Sequence, residues 1–220
     1  LSSGRYDFLN FSNQIRSGPL HSSPKSRPLS PTNPHSAVTI SKRHFLWQPL
    51  PHWLSLLAMS SPTYPPYAFV PGHWPHPTRD PDGHSYGKAE PKAQPLNFDA
   101  WQECTGYLHG VNLFNAGYYW EAHEAWENVW NALGREGLEA DLLKGLIKLA
   151  AVGIKIRQNY QEAGQSLARQ AGRHLQDIRT KRNEALCAGL NLDEIILWCE
   201  ELAKPSQKYQ GDPSKKVEIV

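Results

Sequence analysis

The sequence predicts an all-α fold, and three observations carry that prediction. Of the 18 prolines, 16 fall between Pro19 and Pro95, and none lies between Leu96 and Lys204. A proline inside a helix removes a backbone hydrogen bond and collides with the preceding turn, so uninterrupted helices belong to the second half of the chain. There, apolar residues recur at helical spacing, and no stretch alternates convincingly with period two. The expected architecture is a compact bundle of about five helices over 96–204. A Pro-rich extended strap over 59–95 and a disordered N-terminus over 1–58 precede it, and a disordered tail over 205–220 follows.

Residues 1–58 carry six Lys/Arg and one acid, Asp7, whereas the remainder carries 17 basic and 20 acidic residues. The early segment is Ser/Pro-rich with no hydrophobic period, a composition that cannot bury enough surface to fold. The first residue is Leu1 and the single methionine is Met59, so 1–58 reads as disordered or as untranslated upstream sequence. The run Phe45 to Ala58 follows Lys42-Arg43 in the manner of a signal peptide. Two prolines and an internal position weigh against export, and it is too short to span a bilayer.

The strap holds Tyr64, Tyr67, Phe69 and Trp74 within eleven residues. Such aromatic density predicts a polyproline-like segment laid over the bundle rather than a solvated linker. It also holds His73, His76, Asp80, Asp82 and His84. H-x-x-H followed by D-x-D-G-H offers metal-ligand types that could complete a site left short by the helices, although D-P-D-G is an ordinary turn sequence.

Asn97 is a good N-cap for a first helix over 98–115, with Asp99 in its first turn, and Ala116-Gly117 ends it. A second helix is expected over 118–133, stopped by Gly134. A third, over 138–158, leaves Asp141, Lys144, Lys148 and Lys155 in one narrow polar stripe with apolar residues almost everywhere else. That pattern, together with Gly145 and Gly153, predicts a central helix closely approached by its neighbours. A fourth is expected over 161–188 and a fifth over 193–203, with Asp193 near its N-terminus.

The second helix concentrates the chemistry. Tyr118, Tyr119, Ala122, Trp126, Val129, Trp130 and Leu133 gather on one arc, with His123 at its edge. Glu127 is one turn beyond His123 and within its reach. Trp120 and Glu124 lie toward the opposite arc, and Glu121 is expected to point further out. A tryptophan on the nominally polar side predicts a cover, from the strap, another subunit or a ligand. Imidazole and carboxylate at this spacing suit a divalent-metal or acid/base site, with His123 and Glu127 as metal ligands and Glu124 as the catalytic acid/base. The alternative is a structural polar network, with His123 bonded to Glu127 and Glu121 and Glu124 paired to Lys144 or Lys148. H-E-A-W-E lacks the second histidine of H-E-x-x-H, and the bundle has no E-x-x-H pair of the di-iron kind.

L-F-N-A-G-Y-Y-W-E-A-H-E-A-W-E-N-V-W, Leu113 to Trp130, followed by L-L-K-G-L-I-K-L-A-A, Leu142 to Ala151, resembles the small helical proteins called domain of unknown function 309. Their pattern is a phenylalanine-asparagine turn, A-H-E, a glutamate three residues later, a tryptophan three further on, and a G-L-I-x-L-A helix. The resemblance covers roughly Trp101 to Leu175. It implies an all-α fold with Asn115 at the turn and His123, Glu124, Glu127 and Trp130 at the signature positions. Members are sometimes labelled predicted metal-dependent hydrolases, so the resemblance also implies a divalent metal. Trp126 departs from the pattern, where members more often carry an aliphatic residue.

Cys104, Cys187 and Cys199 are odd in number, widely spaced and form no C-x-x-C pair, which fits apolar residues in a reducing, cytoplasmic compartment. No nucleic-acid partner is expected, because the chain after 58 is net acidic and Lys181 to Asn183 is too short to make a basic patch. No membrane partner is expected either; a homo-oligomer stays open. The chain also lacks a glycine-rich phosphate loop and G-x-S-x-G. Two functional readings remain: a metal-dependent hydrolase, or a non-enzymatic bundle for protein interaction or self-association.

Overall fold

The computed structural model describes residues 64–89 and 91–205. The expectations for 1–58 and for the tail from 206 onward lie outside the described residues, as do 59–63 and Glu90. Five α-helices follow one another among the described residues: α1 (Thr105–Asn115), α2 (Tyr119–Ala132), α3 (Leu138–Arg157), α4 (Gln161–Arg182) and α5 (Leu192–Leu202). Each packs on the next in sequence, as short turns between antiparallel neighbours require.

The ends of α1 and α2 follow the glycines. Gly117 (φ 83°) closes α1, its N–H donating to Phe114 O while Tyr118 N–H donates to Leu113 O, the paired bonds of a left-handed helix cap. Gly134 (φ 69°) closes α2 in the same way. Helix α3 is buried along most of its 20 residues. A Cβ at Gly153 would lie 2.5 Å from Tyr119 Cγ of α2, and one at Gly145 would lie 3.0 Å from Leu175 Cδ2 of α4. These glycines therefore admit the two neighbours between which α3 is held. The predicted polar stripe is interrupted at its end, because Lys155 is only 4 % exposed.

Two expected helices are shorter than their sequence pattern. The first is broken: Phe98–Glu103 form a 3-10 helix capped by Asn97 Oδ1, which accepts from Asp99 N–H, and the chain leaves helical geometry at Cys104 (ψ 86°) before α1 begins. The break sets Trp101 edge-on to Tyr107 and against Gly189, where a Cβ would lie 2.7 Å from the indole. Tertiary packing of one large ring outweighs helix propensity here.

The fourth helix stops at Arg182 because Asn183 adopts the left-handed conformation (φ 55°). A small antiparallel hairpin follows, β1 (Leu186–Cys187) and β2 (Leu190–Asn191), with Leu186 opposite Asn191 and Cys187 opposite Leu190. Its two-residue loop, Ala188 (φ 48°) and Gly189 (φ 77°), has the positive dihedrals that such tight hairpins need. Ala188 is held there by the buried Tyr107 hydroxyl, which donates to its carbonyl at 2.8 Å. Asn191 caps α5, and Asp193, in the first turn as expected, pairs with Arg179 at 2.7 Å.

All three cysteines are buried and free, and burial pushes the Cys187 and Cys199 thiols up to about 11 and about 12. Among the described residues, no helix is long and apolar enough to cross a membrane.

Candidate functional site

Helix α2 carries the site, and its register fixes which side chains meet. Trp126 and Trp130 are buried with Ala122 and Val129 on the core arc. Trp126 donates its indole N–H to Tyr107 O at 3.2 Å and lies against Gly110, where a side chain would collide with it. The residue that departs from the family pattern is thus accommodated by a glycine on α1.

Trp120 is 9 % exposed, and its cover is the strap. Phe69 meets it edge-on at 4.9 Å and His76 edge-on at 5.7 Å, while the His123 ring stacks at 6.1 Å with 18° between planes. Tyr64 stacks on Tyr118 at 5.2 Å, and Tyr118 Oη donates to Pro65 O. The aromatic strap expected from composition therefore does lie on the second helix.

Glu121 corrects an expectation. Instead of pointing to solvent it is 8 % exposed, because the strap crosses its side of the helix as well as that of Trp120. Its Oε1 accepts from Phe69 N–H at 2.9 Å and lies 3.1 Å from His84 Nε2. His84 is itself fixed: Tyr67 Oη accepts from its N–H at 3.3 Å and donates to Pro75 O at 2.7 Å, and the Tyr67 ring stacks on Trp74. Glu121 Oε2 is buried without a hydrogen-bond partner. Periodicity alone missed Glu121, but Trp120 was a signal for it. Whatever covers one residue of an arc reaches the next.

His123, Glu124 and Glu127 come together. His123 Nδ1 lies 3.8 Å from Glu124 Oε1 and 3.8 Å from Glu127 Oε2. One ligand atom from each of the three lies within 4.8 Å of the others. The side chains grade outward, from 3 % exposed for His123 through 22 % for Glu127 to 44 % for Glu124. The group thus runs from a buried imidazole to a carboxylate that faces solvent.

The five strap residues of ligand type do not gather into a metal cluster of their own. Among the described residues, the trio on α2 is the group of three or more with that geometry. His84 goes to Glu121, and Asp80 Oδ1 accepts from Asp82 N–H in a local turn. His76 packs on Phe69 and Trp120. Burial lowers its pKa, while Glu124, and less strongly Asp80, act to raise it. Of the pairs in the structural alternative, which set Glu121 and Glu124 on Lys144 or Lys148, Glu121 goes to the strap instead, and Lys148 donates to Gln170 of α4 at 2.9 Å.

No curated protein and no solved structure matches the chain. A family model described as Domain of unknown function (DUF309) matches residues 107–167. That span runs from Tyr107 in α1 through α2 and α3 to Leu167 in α4 and includes the whole His/Glu trio, but neither the strap nor the hairpin. Over this span, which is less than half of the chain, the protein is similar to the DUF309 family.

Proposed function

We propose that His123, Glu124 and Glu127 form a divalent-metal centre of hydrolytic type. The observation that carries the reading is the close approach of three donor atoms on one buried-to-open helix face. Both contacts of His123 Nδ1 are 3.8 Å, beyond hydrogen-bonding distance and a little wider than the roughly 3.4 Å between ligands of a tetrahedral zinc ion. One imidazole nitrogen with two carboxylate oxygens is a donor set suited to Zn²⁺, Mn²⁺ or Fe²⁺. A cation held there would polarise an oxygen of a bound carbonyl or phosphoryl group.

The protein's own side chains divide the remaining work. His123 is anchored by its stack on Trp120 and contributes a nitrogen from the dry side. Glu127 contributes an oxygen one turn along. Glu124, the most exposed of the three, has a second oxygen with which to take a proton from the attacking nucleophile and return it to the leaving group. The strap keeps water from the Trp120 side of the cluster.

Ligand binding to the folded state alone raises its stability by mass action, about 2.7 kcal/mol at a hundredfold excess over Kd. Zn²⁺ or Mn²⁺ at such concentrations is expected to raise the melting temperature of the wild-type chain reversibly with chelator, and to leave Glu127→Gln much less affected. Equal shifts in both proteins, or none in either, would contradict the reading.

A second reading, a non-enzymatic interaction bundle in which α2 carboxylates are structural, is favoured by Glu121, which is spent on the strap. It predicts no metal-dependent stabilisation.

A further inference from the structure

The strap sets a second chain of polar groups on α2, separate from the trio. Glu121 Oε1 lies 3.1 Å from His84 Nε2, and His84 Nδ1 lies 2.9 Å from Ser85 Oγ. The carboxylate and the imidazole are nearly fully buried, whereas Ser85 is half-buried.

The direction of each bond follows from its partners. Glu121 Oε1 already accepts from Phe69 N–H at 2.9 Å, so the nitrogen that meets it is a donor. The proton of the neutral ring is therefore on Nε2, and Nδ1 is left as an acceptor. Ser85 Oγ is then the donor to Nδ1, which prepares the hydroxyl to lose its proton to the ring. Carboxylate, imidazole and hydroxyl in this order are the arrangement that activates a serine, here with the two ring nitrogens exchanged.

The parts are held in place. His84 backbone N–H donates to Tyr67 Oη, and the Tyr67 ring meets the imidazole edge-on at 4.8 Å. Ser85 N–H donates to Pro77 O at 2.9 Å, and its carbonyl accepts from Lys88 N–H. Gly83 admits no side chain, because a Cβ there would lie 2.2 Å from the His76 carbonyl oxygen. Two exposed aromatic residues belong to the same strap: Trp74, stacked on Tyr67, and Tyr86, next to Ser85 in the chain. Apolar surface beside a polar reacting group suits an ester with an apolar acyl chain.

We propose that Ser85 is a nucleophile for acyl transfer, with His84 as its general base and Glu121 as the positioning residue that orients the ring. Ser85 Oγ attacks the carbonyl carbon of the ester, and its proton passes to His84 Nδ1. The bond from that carbon to the alcohol oxygen breaks, and the alcohol leaves with the proton. Water then attacks the acyl-serine in the same manner, releasing the carboxylic acid and restoring the hydroxyl. No side chain of the trio enters these steps, so the activity is independent of the metal centre.

The test is labelling of the untagged full chain with an alkyl fluorophosphonate, followed by intact mass and by mapping of the modified peptide. The Oγ–P bond forms as the P–F bond breaks, fluoride leaves and the serine proton passes to His84. Wild type, Ser85→Ala, His84→Gln, Glu121→Gln and His123→Ala are compared, and melting of each checks the fold. His84→Gln retains an N–H donor toward Glu121 but has no base toward Ser85. Ser85→Ala removes only a half-buried hydroxyl and keeps the test decisive if the His84 variant unfolds.

Wild type should gain one phosphonyl group, on Ser85, and Ser85→Ala none. General-base catalysis contributes about 10²–10⁴-fold, and His84→Gln should label more slowly by a factor in that range. Glu121→Gln should also label more slowly at temperatures where it is folded, and His123→Ala should label like wild type. A wild-type chain without label on Ser85 would overturn the proposal. So would wild-type labelling rates in His84→Gln or Glu121→Gln, which would make Ser85 an accessible hydroxyl only, and so would loss of label in folded His123→Ala.

Discussion

The carboxylate of Glu121 accepts a hydrogen bond at 2.9 Å from the backbone N–H of Phe69, tying an irregular strap to the helix that carries the signature. Both groups are buried, so removing the carboxylate leaves the Phe69 N–H unsatisfied, and that asymmetry makes the contact a latch. Glu121→Ala is expected to destabilise the protein by about 1–3 kcal/mol. It should also speed tryptic cleavage after the exposed Arg79 and Lys88. Urea denaturation and limited trypsin digestion check both effects. Wild-type cleavage rates in the variant would mean that the aromatic contacts alone hold the strap.

The glycines of α3 and α4 make a contrasting pair. Gly153→Ala puts a methyl 2.5 Å from the Tyr119 ring, and overpacking of this kind costs about 1–3 kcal/mol. Gly172→Ala on α4 meets only Cys199 Cβ, at 3.3 Å, a tight contact set against helix propensity worth about 0.5–1 kcal/mol. Thermal unfolding should therefore rank Gly153→Ala well below Gly172→Ala. The reverse order would show that α2 does not approach α3 as described.

Tyr107→Phe removes the hydroxyl that holds the Ala188 carbonyl. A loss of about 0.5–1.5 kcal/mol is expected, with faster amide exchange in the 186–191 hairpin than in α4. Uniform exchange changes along the chain would argue that the hairpin is not held by this bond.

Lys155 provides a pH-dependent test away from the site. It is 4 % exposed, donates to Gln158 Oε1 at 3.2 Å and lies 5.0 Å over the Tyr160 ring. Burial lowers its pKa from 10.5 to about 8. Between those values the unfolded chain binds more protons than the folded one, so this group makes stability rise with pH across that window and opposes folding most fully below it. Compared with Lys155→Met, wild type should gain stability from pH 8 to pH 10.5. Other buried groups titrate in both proteins and cancel in the difference. A difference independent of pH would sink the assignment.

These contacts also show why some features were legible in the sequence and others were not. Helices α2 and α3 were read to within about a residue because Gly117, Gly134 and the proline-free pattern are local signals of where helices end. Trp120 on a polar arc announced a cover, since a large apolar ring needs one, and the strap proves to supply it. The break at Cys104 and the hairpin after Arg182 depend on Trp101 against Gly189 and on Tyr107 against Ala188. Those pairs are distant in sequence, and no window spans them. Glu121 was misread for the same reason: its partners, Phe69 and His84, lie on another segment. His123, Glu124 and Glu127 were legible because one helix supplies all three, so helical geometry alone brings them together.

The central claim is that those three side chains bind a divalent cation, and equilibrium dialysis of the untagged full chain against Zn²⁺ or Mn²⁺ measures it directly. The account predicts one ion bound per chain, retained through chelator-free buffer exchange and lost in His123→Ala, while the metal-free variant still unfolds cooperatively. Absence of stoichiometric metal in wild type, or an equal amount bound by His123→Ala, would contradict it.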